Sequence, residues 1–316
     1  MNMLKLFLFN ILEKSLSIFG KFGINKKTPG AIPVYNFLFK SFWPYKNVIK
    51  IQGSKMILNV NDESYVMRKT FKVYASRNVH EEVTTELFKQ IVKKGNTVVD
   101  LGANLGYFTL LAAKIVGDKG KVFAFEPEPK NYSYLKKNIE INNYKNVMPF
   151  QKAVSDKNDK TKLYICDYDS GHHTINKYDG IKAYSHGRNI EEKSIEIETV
   201  TLDSFLDGKT DRVDVIKMDV EGAEMLALLG MDKMLRNNKN IQMIIEFFPL
   251  LIEKMGNNPK EFIRKLIEDY GFSIYIIPDD YNAQAEKMEK LNNVQEVMAH
   301  RREEDDHVNL FLKREK

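Results

Sequence analysis

Cysteine and tryptophan each occur once in these 316 residues. A lone thiol, Cys166, excludes an internal disulfide, and with no cysteine pair and no His-x-x-His spacing a zinc site has no support. One thiol also fits a reducing, cytoplasmic compartment. No apolar run approaches the ~18 residues that mark a bilayer-spanning helix. Charge of one sign is scarce: the net charge is +5, and the densest charged run, residues 301–306, mixes arginines with acids. Extended nucleic-acid binding is therefore not expected. No internal repeat or low-complexity tract is present. The remainder, 43% hydrophobic and 29% charged, is ordinary for a globular protein and long enough for one large α/β core with an appendage.

The chain divides by pattern. In residues 1–22, Met3, Leu4, Phe7, Leu8, Ile11, Leu12, Ile18, Phe19 and Phe22 recur at near-helical spacing, interrupted by Lys5, Asn10, Glu13 and Lys14. The segment is too short and polar to cross a bilayer and lacks the small-residue site of a signal peptide. Two readings stay open: a helix docked on protein, or a helix lying at a membrane surface. With the Gly- and Pro-bearing linker that follows, it makes up residues 1–35. Residues 36–94 read as a small β/α cap. Val48 to Gln52 and Lys55 to Val60 alternate around Gly53-Ser54 as a hairpin does, expected to cap one edge or lie over the site, and 81–93 reads as a helix. Glu82, in its first turn, is either turned toward a ligand or a solvated acid favoured by the helix dipole. Residues 95–316 form the catalytic domain.

That domain opens on Thr97-Val-Val-Asp100-Leu-Gly102-Ala103-Asn104-Leu-Gly106-Tyr107-Phe-Thr109. Val98, Val99 and Leu101 make a covered strand, and the glycines let the chain turn tightly into a helix over 107–116. The G-x-x-x-G spacing lacks the third glycine of dinucleotide loops. Asp100 would repel a pyrophosphate but attract a cation such as a sulfonium. Lys121 to Phe125 is a second strand, and Glu126 at its tip, roughly 20 residues after the turn, stands where an acid bonds both ribose hydroxyls. Pro127 stops it. Pro129 to Asn142 reads as a helix and Val147 to Val154 as a third strand, whose end places Ala153 and Val154 beside an adenine. Val213 to Asp219 is a buried strand with an acid at its carboxyl edge, followed by Glu221 one strand period on and by Glu224 opening a helix. Strands are also expected over 162–166, 195–201, 241–247, 272–277 and 307–313, a helix over 259–270, and a solvated helix over 288–302.

These ordered motifs, Asp100-x-Gly102-x-Asn104-x-Gly106-Tyr107-Phe-Thr109, Phe125-Glu126-Pro127 and Lys217-Met-Asp219-Val-Glu221-Gly-Ala-Glu224, resemble the FkbM family of S-adenosylmethionine-dependent methyltransferases over about residues 80–278. The resemblance implies the class I methyltransferase fold: a Rossmann-like α/β architecture with a seven-stranded, mostly parallel sheet whose last strand runs antiparallel, here carrying the N-terminal helix and β appendage. It further implies O-methylation of a sugar or natural product. The cofactor set is then Asp100, Gly102, Ala103, Asn104, Gly106, Tyr107, Glu126, Pro127, Ala153, Val154 and Asp219. Asp219 is the candidate base or acceptor-orienting group, worth roughly 100- to 10,000-fold, with Glu221 and His173 as further catalytic candidates. His172, His173, Glu224 and Glu246 are assigned to a small-molecule, glycan or glycolipid acceptor, the histidines from a glycine- and tyrosine-rich loop. Structural roles compete throughout: Glu221 and Glu224 at a helix N-terminus, the histidines as incidental loop residues. Asp219, Glu221 and Glu246 are compatible with a divalent metal, but no fixed ligand spacing requires one and none is expected. A dinucleotide-dependent dehydrogenase and a non-catalytic cofactor-binding module remain as alternatives. The acceptor's identity and the oligomeric state are not legible.

Overall fold

The computed structural model describes residues 47–58, 77–166, 173–175, 193–278, 288–300 and 307–315, together with isolated positions at 5, 7–8, 11, 37–38, 41–42, 71 and 73–74. The expected helix over residues 1–22 lies almost wholly outside them, as does His172. Among the described residues, no helix is long and apolar enough to cross a membrane.

A hairpin comes first, β1 (Val48–Ile51) against β2 (Ser54–Ile57), followed by α1 (Glu82–Ile91). The hairpin packs into the core rather than over the site. Ile51, Met56 and Leu58 are buried in the same apolar cluster as α1 and the central strands. The core then alternates strand and helix: β3 (Thr97–Leu101), α2 (Tyr107–Val116), β4 (Lys121–Phe125), α3 (Pro129–Ile141) and β5 (Val147–Phe150). A small second sheet interrupts, with β6 (Ala153–Val154) parallel to β8 (Ser194–Val200) and β7 (Asp159–Tyr164) antiparallel to it. The first sheet resumes through α4 (Leu202–Leu206), β9 (Val215–Met218), α5 (Glu224–Leu229), α6 (Asp232–Asn237), β10 (Gln242–Phe247), α7 (Pro249–Lys254) and α8 (Pro259–Arg264), which passes into a π-helical turn over Lys265–Asp269. The chain closes with β11 (Ser273–Ile276), β12 (Glu289–Leu291), α9 (Val294–Ala299) and β13 (Val308–Lys313).

The main sheet runs β12-β11-β13-β10-β9-β3-β4-β5. Strands β3, β4, β5, β9 and β10 are parallel neighbours, β13 is antiparallel to β10 and β11, and β12 is antiparallel to β11. The sheet thus has the expected mostly parallel α/β form and antiparallel final strand, but eight strands among the described residues rather than seven. The extra one is β12, where a helix was expected over 288–302. Asn292 and Asn293 divide that segment: Asn293 caps α9 by accepting from the Glu296 N–H, and Glu296 reaches back to the Asn292 N–H. Such a reciprocal cap stops whatever precedes it. A second difference lies at 147–154, which is two strands in two sheets. The edge strand β5 tolerates Pro149, whose missing N–H needs no ladder partner there, and Gln151-Lys152 carries the chain across to β6.

Successive residues of the central strands enter opposite cores. Val98, Val122 and Ala124 pack with α1, α2 and the hairpin, whereas Val99, Leu101, Phe123 and Phe125 pack with α5 and α8. Both faces are covered, which is why these strands read as unbroken apolar runs. Each such buried side chain contributes about 1.5–3 kcal/mol. From β3 the chain winds outward through β4 and β5; it then returns to β9 on the other flank and winds away through β10. The order reverses between β3 and β9, and an open α/β sheet forms its ligand crevice at the carboxyl ends of the strands at such a reversal.

Candidate active site

An open cleft of about 680 Å³ lies there. Gly102 and Asn104 line it from the β3 turn, Glu126 and Pro127 from the end of β4, Ala153 and Val154 from β6, and Asp219 and Glu221 from the end of β9. His173 and Ile175 close one side.

The turn after β3 is set by contact with the turn after β9. Gly102 has φ 78°, and a Cβ built on it would lie 1.7 Å from the Asp219 carbonyl oxygen. Only glycine permits that approach. The Asp219 N–H in turn donates to the Leu101 carbonyl at 3.0 Å. The Gly102 and Ala103 N–H groups both donate to the Phe125 carbonyl, so the loop is tied to β4 as well. Asn104, itself at φ 49°, donates its backbone N–H to Glu126 Oε2 at 2.8 Å, and Glu128 N–H donates to Oε1 at 2.9 Å. Burial pushes the Glu126 carboxyl up to about 8 against the lowering effect of these two bonds. Each of its oxygens accepts only one of these bonds, leaving each able to accept another from a ligand hydroxyl. The Asn104 Oδ1 is buried with no hydrogen-bond partner. An orphaned acceptor in a ligand cleft calls for a donor from the ligand.

Other expected residues act from behind the cleft. Asp100 is 3% exposed and does not line it; Oδ2 accepts from Thr109 Oγ1 at 2.5 Å, pinning α2 to β3, and burial pushes its carboxyl up to about 6. Gly106 faces Leu135 of α3, where an added Cβ would meet Cδ1 at 2.7 Å. Tyr107 OH lies 3.1 Å from the Thr85 hydroxyl and accepts from the His80 N–H at the same distance. Ala103 is buried in the core. These three shape the loop rather than the cleft wall. Ala153 and Val154 do line it, although from the small sheet and not from the tip of a third strand.

Beside the Asp219 turn stands a charged cluster. Residues 219–222 leave the strand at Met218, and Glu221 is placed by a left-handed turn (φ 51°) with Gly222 at φ 98°, not by a strand period. Thr174 Oγ1 donates to the Glu221 carbonyl at 2.8 Å, and the Cys166 N–H donates to His173 Nδ1 at 3.0 Å, which anchors the 173–175 segment over the turn. Carboxylate oxygens of Asp219, Glu221 and Glu246 lie within 4.8 Å of one another. Desolvation, then the Glu246 charge, hold the Asp219 carboxyl well above its usual range. Burial would raise Glu246 too, but the His307 imidazole, with Nε2 2.9 Å from Oε1, outweighs it and holds Glu246 well below. Glu224 opens α5 as expected but is 1% exposed: Oε1 accepts from the Gly222 N–H, and burial pushes it up to about 8. It supports the turn and does not line the cleft.

Two members of this cluster escape the sequence reading. Lys217, 2% exposed, holds Nζ 3.6 Å from Asp219 Oδ2 and 5.2 Å from the centre of the Phe108 ring. Desolvation opposes its charge, but Asp219, Glu81, Glu246 and Asp100 outweigh it and keep it an ammonium. The signal was a lysine inside the buried run Val215-Ile-Lys-Met218. Glu81, not Glu82, is the acid turned inward: Glu82 is exposed, whereas Glu81 sits at φ 45° with Oε1 3.0 Å from His80 Nε2 and Oε2 buried without a hydrogen-bond partner. Burial would raise it, but His80 and Lys217 hold it low. A one-residue shift of the helix start separates the two.

The model of the methyltransferase FkbM domain matches residues 100–274, more than half of the chain. The chain belongs to the FkbM methyltransferase family. The match sets aside the dinucleotide dehydrogenase, in keeping with the missing third glycine. This FkbM methyltransferase is 24% identical over 238 residues to methyltransferase 1 of Beauveria bassiana, covering 69% of this chain and 92% of the relative. It is 29% identical over 202 residues to the methyltransferase sdnD of Sordaria araneosa, covering 56% and 73%. Among solved structures it aligns with an FkbM methyltransferase from Methylobacillus flagellatus at 11% identity, over 81% of this chain and 62% of that one, with a TM-score of 0.40. The methyl donor is S-adenosylmethionine, and the cleft fits it on its own evidence: a buried acid with acceptor capacity at the β4 tip, an orphaned Asn104 oxygen and a glycine turn that brings backbone to the ligand.

Proposed function

We propose that this FkbM methyltransferase methylates a hydroxyl oxygen of a sugar, glycan or glycolipid, with Asp219 orienting the hydroxyl and taking its proton. The observation that carries the reading is the position of Asp219, at the reversal of strand order, in the cleft wall, with its carbonyl packed against the glycine turn. S-adenosylmethionine supplies an electrophilic methyl carbon. Glu126 would accept hydrogen bonds from its ribose, Ala153 and Val154 would wall its adenine, and Asn104 Oδ1 would take a donor from the same ligand. Asp219, 31% exposed toward the cleft, then meets the acceptor. In-line displacement asks mainly that the acceptor oxygen be held at attack distance. An aliphatic hydroxyl also has to lose its proton as the bond forms, and a carboxylate within hydrogen-bond reach serves both needs. His173 and Ile175, anchored through Thr174, form the acceptor side.

A screen of glycan acceptors with a labelled methyl donor tests the reading. Asp219→Asn is expected to lower turnover by roughly 100- to 10,000-fold, with the affinity for S-adenosylhomocysteine unchanged within a few-fold. Collapse of that affinity would instead assign Asp219 to the cofactor.

A further inference from the structure

A base in a filled cleft has to discharge its proton at every turnover, and Asp219 lines the cleft that donor and acceptor would fill. Behind Asp219 the carboxylate series continues. Carboxylate oxygens of Asp219 and Glu246 lie within 4.8 Å of each other. Glu246, near the end of β10, is 19% exposed and does not line the cleft. His307, one residue before β13, brings Nε2 to 2.9 Å from Glu246 Oε1 and is 42% exposed. Lys217, with Nζ 3.6 Å from Asp219 Oδ2, is buried, and Glu221 lines the cleft itself.

We propose that Glu246 and His307 are the proton exit of this site, linking Asp219 in the cleft to solvent at the β13 end of the sheet. The proposal rests on the reading of Asp219 as the group that takes the acceptor's proton. In each turnover the acceptor O–H bond breaks as the O–CH₃ bond forms. The proton passes to Asp219, the proton that Asp219 carried passes to Glu246, and His307, having given its own proton to water, accepts that proton at Nε2. The imidazolium returns a proton to water, so nothing accumulates. Glu246 and His307 act through Asp219 and are positioning residues. The charged groups around the chain are Lys217 on Asp219, and Glu81, Glu221 and Glu224, whose charges act on Asp219, Glu246 or both; the Phe248 ring lies 5.8 Å from the imidazole.

The test is titration of the imidazole resonances of the full-length, ¹⁵N-labelled protein by NMR, with His307→Gln identifying the signal. The chain requires that His307 report on Asp219, which it does not touch. The wild-type curve is expected to show two inflections, one from the imidazole and one from the carboxyl pair. Glu246→Gln should lower the His307 midpoint by about one pH unit or more, because it removes an opposite charge within contact distance. Asp219→Asn should abolish the second inflection. A single inflection in the wild type, or a His307 curve moved by Glu246→Gln but indifferent to Asp219→Asn, would reduce the contact to a surface ion pair and overturn the proposal. The wild-type curve decides even if a variant does not fold. Calorimetry with S-adenosylhomocysteine on the same sample separates the two levels: failure to bind removes the methyltransferase site itself, whereas an uncoupled His307 removes only the exit.

Discussion

Gly102→Ala tests whether the loop after β3 and the turn after β9 form one mechanical unit. The new Cβ would lie 1.7 Å from the Asp219 carbonyl oxygen. Carbon and oxygen rarely approach within about 3.3 Å, so the two turns have to part by more than an ångström. Two costs follow. Alanine at φ 78° adds roughly 1–2 kcal/mol of backbone strain, and separating packed backbone adds about as much again. At ~2–4 °C per kcal/mol for a large domain, the melting temperature should fall by roughly 4–16 °C. The functional cost is larger than the stability loss, because a displacement of about 1 Å at the reacting group costs on the order of 100-fold in rate. Gly106→Ala is the control: it has a comparable φ of 97°, but its clash is with the end of the Leu135 side chain, so it should lose stability while keeping Asp219 in place. Differential scanning calorimetry and labelled-methyl transfer on both variants give the comparison. If Gly102→Ala matches wild type in both, or harms transfer no more than Gly106→Ala does, the contact does not hold Asp219 and the reasoning is wrong.

Glu126→Ala should weaken S-adenosylhomocysteine binding by roughly 10- to 10,000-fold in isothermal titration, the loss of one or two charge-assisted hydrogen bonds at about 1.5–3 kcal/mol each; an unchanged affinity would remove Glu126 from the site. Lys217→Met should destabilise the fold by about 3–5 kcal/mol at neutral pH, as removal of one partner from a buried charge group does, and urea unfolding would read it. The penalty should shrink toward pH 4, as the acids around it protonate. Glu224 has a folded value raised to about 8, so the folded state holds its proton more tightly than the unfolded chain, and stability is lost as pH rises from about 4.5 to about 8. Glu224→Gln should flatten that slope, and a variant that keeps the wild-type fall in melting temperature would place its cause elsewhere.

Much of this was legible because buried parallel strands and glycine turns leave strong local signals. β3, α2 and β4 fall where Val98-Val99, Gly102, Gly106 and the Lys121 to Phe125 run put them. Local signals say nothing, however, about which turn touches which. Lys217 was invisible as a cluster member because its four acidic neighbours come from β3, the β9 turn, β10 and the start of α1, separated by up to 165 positions in sequence. Glu81 was missed by one residue, since a helix start is the least determined part of a helix and the inward acid is the one in the left-handed cap position. Asp100 was read as a ligand group because a strand-end acid looks alike whether it faces a cleft or a threonine one helix turn away; only the bond from Thr109 separates the cases. The break of β5 from β6 depended on a second sheet that no short window reveals.

The cluster beneath the cleft also explains why a buried lysine belongs in a methyltransferase. Asp100, Asp219, Glu81 and Glu246 all act on Lys217, and four carboxylates so close could not all stay ionised out of water. Lys217 is the ammonium among them, and the His80 and His307 imidazoles stand against Glu81 and Glu246. The crowding tells on Asp219, whose carboxyl desolvation and the Glu246 charge hold well above its usual range. On the proposed reading of Asp219 as the base, a sulfonium bound in the cleft would favour its ionised form, and donor binding would be coupled to proton removal through the charge balance that Lys217 sets.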